Sequence, residues 1–115
     1  MVVPRYVPER GDIIWLNFSP TRGHEQGGKR PALVISRSVY NGKTSLVIIC
    51  PITSRAKGYE FEVALPDTSN IQGVVLSDHV RSLDWRVRHA KFAERASSAV
   101  VTQVAELISI LAQDA

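Results

Sequence analysis

The fold is decided by residues 32–50, Ala32-Leu-Val-Ile-Ser-Arg-Ser-Val-Tyr-Asn-Gly-Lys-Thr-Ser-Leu-Val-Ile-Ile-Cys50. This stretch holds two nearly continuous apolar runs, Ala32–Ser36 and Ser45–Cys50, each of a length typical for a strand. The runs are joined through Tyr40-Asn41-Gly42, and Asn-Gly is a strong signal for a hairpin turn. The stretch therefore predicts two strands that pair through a hairpin.

Further strand-like segments lie on both sides of this stretch. They are Ile13–Phe18, Glu60–Leu65, Gly73–Leu76, His79–Leu83 and Arg88–Phe92. The segment Glu60–Leu65 alternates between polar and apolar residues, so one of its faces should be wet. The segments Gly73–Leu76 and His79–Leu83 are expected to form a pair, with Ser77-Asp78 at the join.

The period of the apolar residues changes near the end of the chain. Apolar residues fall on one helical face from Val100 to Leu111. Ser97 and Ser98 offer N-cap oxygens, which predicts a helix from about Ser98 to Ala112. No segment suggests a strand–helix–strand crossover, so a parallel sheet is disfavoured. The sequence predicts a mainly β fold, a small antiparallel barrel with a C-terminal α-helix.

Composition bounds the class of protein. Of the 115 residues, 44% are apolar and 22% charged, which argues against disorder and favours one domain over residues 1–115. The only cysteine, Cys50, excludes an intramolecular disulfide, and its apolar neighbours predict a buried thiol. No apolar run reaches the length of a membrane span, and residues 1–10 lack the apolar core of a signal peptide. We therefore expect a cytoplasmic protein.

Several kinds of catalytic site are disfavoured by the residues present. The three histidines, His24, His79 and His89, are far apart in sequence, and one cysteine cannot build a thiolate zinc site. No close cluster of acids resembles a two-metal carboxylate site. A Walker phosphate loop and a Gly-x-Ser-x-Gly nucleophile elbow are both absent from the sequence. We expect neither a metal nor another cofactor.

The remaining polar groups gather beside the ends of predicted strands. The connection Ser19–Pro31 holds three glycines, a His-Glu pair and three cations, which makes it a candidate for contact with an anion. Arg30 stands where this connection enters a strand, and its planar guanidinium can hold a phosphate through two hydrogen bonds. Thr53 and Ser54 follow another strand, where their hydroxyls serve either a phosphate oxygen or ordinary turn chemistry.

Positive charge is concentrated between Arg81 and Arg95. This region carries five cations against two acids, in a chain whose net charge is +3. The simplest reading is a solvated surface, but Trp85 among the arginines favours nucleic acid, where aromatic faces and guanidinium groups act together.

These features, taken in order along the chain, resemble the MazF/PemK family of toxins from bacterial toxin–antitoxin pairs. The resemblance covers nearly the whole chain and is carried by the order and spacing of its motifs rather than by any one of them. The motifs are Gly11-Asp12-Ile-Ile-Trp-Leu-Asn-Phe18, Gly23-His-Glu-Gln-Gly-Gly-Lys-Arg-Pro-Ala-Leu-Val-Ile-Ser36, Tyr40-Asn41, Cys50-Pro-Ile-Thr-Ser54, Lys57-Gly-Tyr-Glu-Phe-Glu-Val63, Gly73-Val-Val-Leu-Ser-Asp-His-Val-Arg-Ser-Leu-Asp-Trp85 and the segment from Arg86 to Ala90.

The resemblance implies an SH3-like barrel of the plasmid-maintenance toxin type, which agrees with the fold predicted from the residues. It implies a homodimer that binds single-stranded RNA near the dimer interface. It further implies metal-independent cleavage of mRNA at a short motif through the 2′-hydroxyl, which leaves 2′,3′-cyclic phosphate and 5′-hydroxyl ends and inhibits translation and growth. The expected partner is an acidic, MazE-like antitoxin, and any contact with DNA would come only through the antitoxin complex.

The resemblance also assigns roles to residues of this chain. The catalytic arginine, threonine and acid of the family fall on Arg30, Thr53 and Glu25, with Glu25 as a base or as the group that orients Arg30. His79 departs from a common pattern in which Gln is frequent. The residues expected to contact RNA are Lys29, Asn41, Ser54, Asp78, His79, Arg81 and Arg86.

Two alternative classes of function stay open. One is a toxin of the related fold that poisons DNA gyrase, which the patterns Glu25–Pro31 and Pro51–Ser54 disfavour. The other is a non-catalytic nucleic-acid-binding barrel, which would keep the basic face and cleave nothing.

Overall fold

The computed structural model describes residues 5–18 and 28–114. In this part of the chain, seven strands and two helices follow one another as β1 (Asp12–Asn17), β2 (Lys29–Val34), α1 (Ser38–Thr44), β3 (Leu46–Thr53), β4 (Glu62–Ala64), β5 (Val74–Leu76), β6 (Arg81–Asp84), β7 (Lys91–Arg95) and α2 (Ser98–Leu111). All strand pairs are antiparallel. The predicted fold class, a mainly antiparallel β structure with a C-terminal helix, is confirmed.

The longest strand, β3, organises the sheet. One of its edges pairs with β2, and its other edge pairs first with β6 and then with β5. The strands follow the order β4-β5-β3-β2-β1-β7, with β6 beside β3, so the sheet is barrel-like without being closed by backbone pairing in the described residues. Pro51, which has no N–H to donate, lies on β3 between the β6 and β5 pairings.

The predicted hairpin between β5 and β6 is wrong. Both strands lie along the same edge of β3, with Ile49 opposite Arg81 and Ile52 opposite Val75. The two strands are therefore successive along one edge instead of being paired with each other. A short turn between them, closed by a hydrogen bond from His79 N to Leu76 O of 3.1 Å, resembles a hairpin signal in the sequence.

The predicted Asn-Gly turn between β2 and β3 is also wrong, because these residues lie in helix α1. The helix is only seven residues long and is stabilised by tertiary contacts rather than by its own propensity. Asn41 is fully buried, and its amide donates to Pro8 O at 2.8 Å and to Ser36 O at 3.0 Å. The helix ends at Ser45, whose left-handed backbone (φ 66°) returns the chain to β3.

Both faces of the central strands are buried, which explains their continuous apolar sequences. On one face, Ile13 packs in a cluster with Cys50 and with Val104 of α2. On the other face, Ile14 packs in a cluster with Trp85. The prediction that Cys50 is buried is confirmed, since its exposure is 0%.

The C-terminal helix α2 confirms the predicted position almost residue for residue. Its N-cap is Ser97, whose Oγ accepts a hydrogen bond from Val100 N at 3.3 Å. Val100 and Val104 of the predicted stripe are buried against the sheet, whereas Leu111 is 49% exposed.

The strand predicted over Arg88–Phe92 is displaced to β7, because residues 85–89 form a turn. Neither helix in residues 5–18 and 28–114 is long and apolar enough to span a membrane.

Candidate active site

A pocket of about 710 Å³ opens beside the C-terminal end of β3. It lies between elements that are distant in sequence, namely β1, the start of β2, the end of β3 and the connection from β4 to β5. Its lining residues are Trp15, Arg30, Pro31, Ile52, Thr53, Ser54, Arg55, Asn70, Ile71 and Gln72. The pocket therefore brings together three of the residues predicted from sequence, Arg30, Thr53 and Ser54.

Strand register explains why Arg30 and Thr53 meet. The β2–β3 ladder has its last pair at Ala32 opposite Pro51. Extending the same register by two residues sets Arg30 opposite Thr53, beyond the point where the ladder ends. On its other side, β2 stays paired with β1 as far as Lys29, with Arg30 opposite Leu16. The pocket opens where β2 and β3 part.

The Thr53 side chain is held in a defined orientation. Its Oγ1 accepts a hydrogen bond from Arg55 N at 3.1 Å, so the turn after β3 occupies an acceptor position of the hydroxyl. The hydroxyl proton remains able to donate. Thr53 is half-buried and Arg30 is exposed, so both are reachable by a ligand in the pocket.

The lining of the pocket is cationic. Arg30 and Arg55 contribute guanidinium groups, and none of the ten lining residues is acidic. Two arginines and the hydroxyls of Thr53 and Ser54 suit a phosphate group. Each guanidinium can form a bidentate pair of hydrogen bonds with phosphate oxygens, and each hydroxyl adds one donor. The predicted acid, Glu25, lies outside the described residues.

Sequence reasoning missed part of the lining. Arg55 could have been predicted as a pocket residue, since it directly follows the hydroxyl residues Thr53 and Ser54 at a strand end. Asn70 and Gln72 could not, because nothing in the local sequence indicates that the connection between β4 and β5 folds back against β3.

Asn41 is the predicted RNA-binding residue whose environment differs most from expectation. Both amide protons are donated to backbone carbonyls, and its Oδ1 accepts a hydrogen bond from the Ser36 hydroxyl. The side chain is 0% exposed, which leaves no polar atom for a base edge. Asn41 serves the fold by tying α1 to the N-terminal segment, so we do not include it among RNA contacts.

Asp78 and His79 lie together on the surface but outside the pocket. Asp78 Oδ1 accepts a hydrogen bond from Tyr59 Oη at 3.0 Å and lies 3.7 Å from His79 Nε2. The pKa of the Tyr59 hydroxyl is raised, mainly by desolvation and to a smaller extent by the hydrogen bond to Asp78. The hydroxyl therefore keeps its proton and remains a donor. The three residues form a polar cluster able to offer donors and acceptors to a base.

The predicted basic residues have different environments. Lys29 is exposed at the start of β2, and Arg81 lies over the ring of Phe18, with Cζ 5.3 Å from the ring centroid. Arg86 lies 4.4 Å above the ring of Trp85, which is itself only 6% exposed. The expectation that Trp85 offers an aromatic face to nucleic acid is therefore wrong, because the ring is core and Arg86 covers it.

The chemistry of Cys50 is set by its surroundings. Burial, with a smaller contribution from Asp78, raises the pKa of its thiol to about 12. A thiol with such a pKa is protonated at neutral pH and is a poor nucleophile.

Among residues 5–18 and 28–114, no three His, Cys, Asp or Glu side chains converge as metal ligands.

Comparison with known proteins gives a consistent result. Residues 9–112 match the family model described as PemK-like, MazF-like toxin of type II toxin-antitoxin system. The endoribonuclease toxin MazF of Escherichia coli (strain K12) is 49% identical over 89 residues, which are 77% of this chain and 79% of that protein. The endoribonuclease PemK of Escherichia coli is 34% identical over 107 residues, 90% of this chain and 80% of that protein.

Solved structures agree in fold. The crystal structure of MazF (Form-I) from Deinococcus radiodurans is 54% identical, with a TM-score of 0.85 over 95% of this chain and 100% of that chain. A MazE–MazF structure (Form-II) from Deinococcus radiodurans is 49% identical, with a TM-score of 0.84 over 96% of this chain and 100% of that chain. The chain belongs to the PemK-like, MazF-like toxin family of type II toxin–antitoxin systems.

Proposed function

We propose that this toxin is an endoribonuclease that cleaves single-stranded RNA at a short sequence motif, without a metal ion, and so inhibits translation. The named activity of the MazF and PemK relatives supports the reaction class. The observation that carries the proposal is the pocket at the end of β3, where Arg30 and Thr53 from different strands line one cationic cavity.

The proposed reaction is transesterification by the ribose 2′-hydroxyl. The 2′ oxygen loses its proton to a base and bonds to phosphorus, while the bond from phosphorus to the 5′ oxygen breaks and that oxygen takes up a proton. The products are a 2′,3′-cyclic phosphate and a 5′-hydroxyl. Such a reaction needs a base, an acid and donors that stabilise the charge of the phosphorane.

Arg30 and Thr53 are proposed to supply the donors. A guanidinium with a reference pKa above about 12 stays charged at neutral pH, so charge stabilisation suits Arg30 better than proton transfer. The Thr53 hydroxyl, oriented by Arg55 N, donates to a second phosphate oxygen. Glu25 is proposed as the base or as the group that orients Arg30.

RNA is proposed to extend from the pocket over neighbouring polar and basic residues. Ser54 lies in the pocket itself, and the cluster of Asp78 and His79 is proposed to contact a base. The cations proposed to hold the backbone are Lys29, Arg81 and Arg86. Single-strand selectivity follows, because the hydrogen-bonding edges of bases are free only when they are unpaired.

The proposed partners are a second copy of this chain and an acidic antitoxin. The MazE–MazF structures from Deinococcus radiodurans support an antitoxin partner for a toxin of this fold. We propose that the acidic segment of the antitoxin covers the cationic pocket, which would neutralise the groups that hold phosphate. Light scattering of the purified chain, with and without a cognate antitoxin, tests both partners.

The pocket assignment is tested with three variants and a defined single-stranded RNA whose cut ends are mapped. Arg30→Ala and Thr53→Val are each expected to lower the cleavage rate by about 100- to 1,000-fold, the usual effect of removing one donor from a charged transition state. Thr53→Ser keeps the hydroxyl and should retain most activity. As a control, Arg10→Ala removes an exposed arginine that precedes β1 and does not line the pocket, and this variant should cleave like the parent.

An Arg30→Ala protein that cuts RNA at the parent rate would refute the assignment. The same assay separates the endoribonuclease from both alternatives, because neither a binding module nor a gyrase poison cleaves RNA. An assay with gyrase and supercoiled DNA then separates these two alternatives from each other. Cleavage should persist in excess EDTA. Loss of cleavage in EDTA, with recovery on addition of magnesium, would contradict the metal-independent proposal.

A further inference from the structure

One side of the pocket is built by the connection between β4 and β5. Residues Asn70–Gln72 line the cavity together with Arg30 and Thr53, and we call these three residues the pocket wall. The wall has no regular secondary structure, so its position depends on contacts with other elements.

Glu94 of β7 holds the pocket wall at its N-terminal end. Glu94 Oε1 accepts a hydrogen bond from Asn70 N at 3.1 Å, and Oε2 accepts one from Ile71 N at 3.2 Å. Strands β4 and β7 are the two ends of the sheet order, and the wall follows β4. The carboxylate of Glu94 therefore connects the two ends of an open sheet at the edge of the pocket.

The C-terminal end of the pocket wall is held against the end of strand β3. Gly73, directly after the wall, has φ +128° and lies so close to β3 that an added Cβ would come within 2.2 Å of Thr53 O. Leu65 N donates to Gly73 O at 2.9 Å and closes the base of the connection. The wall is thus anchored to Glu94 on one side and to the backbone of Thr53 on the other.

The side chains of the pocket wall have complementary roles. Ile71 is half-buried and packs on the core cluster that contains Ile52, so it anchors the wall. Gln72 Nε2 is engaged with Ser69 O at 2.8 Å. Asn70 is exposed, and its side-chain amide makes no hydrogen bond within the described residues. An amide offers a donor beside an acceptor, which is the pattern that reads the edge of an unpaired base.

We propose that the pocket wall is a base-recognition subsite for the nucleobase that adjoins the scissile phosphate. Asn70 reads the edge of that base, and Glu94 is a positioning residue that acts through the backbone of Asn70 and Ile71. The inference rests on the proposed RNA cleavage, and it adds residues that determine which sites are cut.

The test is the cleavage preference of each variant on a random single-stranded RNA pool, read by sequencing the cut ends. Asn70→Ala should relax the preference at one motif position next to the cut by about 5- to 150-fold, the discrimination of one good amide–base contact, and leave the other positions unchanged. Gln103→Ala removes an exposed amide on α2 and serves as the matched control.

A second variant tests the positioning role. Glu94→Gln keeps the size of the side chain but sets an amide NH₂ where one oxygen accepted a backbone N–H. It should relax preference at the same motif position as Asn70→Ala and raise KM more than it lowers kcat. Glu62→Gln is the control, because the Glu62 carboxylate likewise accepts from two consecutive amides, Lys57 N and Gly58 N, in a loop that does not line the pocket.

The outcomes distinguish the two levels of the proposal. An unchanged preference profile in Asn70→Ala, or an equal relaxation at every motif position, overturns the subsite while cleavage by the parent protein upholds the endoribonuclease. A Glu94→Gln protein with the profile of Glu62→Gln overturns the positioning role. A parent protein that cuts no RNA overturns the proposed function, and the subsite with it.

Discussion

Replacing Gly73 by Ala tests how tightly the pocket wall is joined to the end of β3. Two costs add at this position. The backbone at φ +128° is strained for any residue with a Cβ, which costs about 1–3 kcal/mol. The new Cβ would also lie 2.2 Å from Thr53 O and 2.8 Å from Thr53 C, and overpacking against a fixed neighbour costs about 1–3 kcal/mol.

We therefore expect Gly73→Ala to lower the free energy of unfolding by about 2–6 kcal/mol, measured by urea denaturation. Gly58→Ala is the matched control, because Gly58 also has positive φ (+84°) but nothing lies within 4 Å of its added Cβ. Strain alone should cost the control about 1–2 kcal/mol. A larger loss in Gly73→Ala than in Gly58→Ala is therefore expected from the added contact with Thr53.

The same variant carries a consequence for catalysis. A shift of about 1 Å in Thr53 is enough to cost about 100-fold in rate, so folded Gly73→Ala should cleave RNA far more slowly than folded Gly58→Ala. Equal unfolding free energies for the two variants would refute the close approach. Equal cleavage rates would refute the link from Gly73 to Thr53.

Three further predictions concern other parts of the molecule. Because burial raises the pKa of the Cys50 thiol to about 12, native protein should resist thiol-reactive reagents and react fully in denaturant; rapid reaction of native protein would contradict this burial. Hydrogen bonds from Ser38 N and Arg10 N lower the pKa of Glu9, so its contribution to stability is complete above pH 4.5 and is lost as pH falls through the folded pKa. Thermal melts should show a weaker acid dependence for Glu9→Gln than for the parent, and parallel curves would exclude this role. The affinity for a non-cleavable RNA analogue should fall as salt rises, and Arg81→Ala should reduce the slope of log affinity against log salt by about 0.7; an unchanged slope would place Arg81 outside the RNA path.

Strands and helices whose burial leaves a local pattern of apolar residues could be predicted from sequence. Strands β1, β2 and β3 were predicted because both faces of each are buried, which leaves continuous apolar runs. The helix α2 was predicted because one stripe packs on the sheet and Ser97 caps its first turn. In each case the signal lies within a dozen residues.

Features that depend on distant contacts could not be predicted in this way. The dipeptide Asn41-Gly42 is by itself a turn signal. In the structure these residues lie in a helix, which is stabilised by hydrogen bonds from the Asn41 side-chain amide to the carbonyls of Pro8 and Ser36. Strands β5 and β6 each pair with β3, one after the other along the same edge. This arrangement depends on the length of β3 rather than on the turn between β5 and β6.

The candidate site shows the same division. Arg30 and Thr53 were identified by their places at strand ends and by family resemblance, and the structure sets both in one pocket. The contact of Glu94 with Asn70 and Ile71 spans more than twenty residues and uses only backbone amides of the wall. No residue type marks such a contact in the sequence.

The central claim is that Arg30 and Thr53 stabilise attack by the 2′-hydroxyl on the phosphate they hold. Its most direct test compares an RNA containing the mapped cleavage motif with the same RNA carrying one 2′-deoxy nucleotide immediately 5′ of the scissile phosphate. We predict that the all-ribose RNA yields 2′,3′-cyclic phosphate and 5′-hydroxyl ends, and that the substituted RNA binds but is not cut at that bond. Cleavage of the substituted RNA at the parent rate would contradict the account.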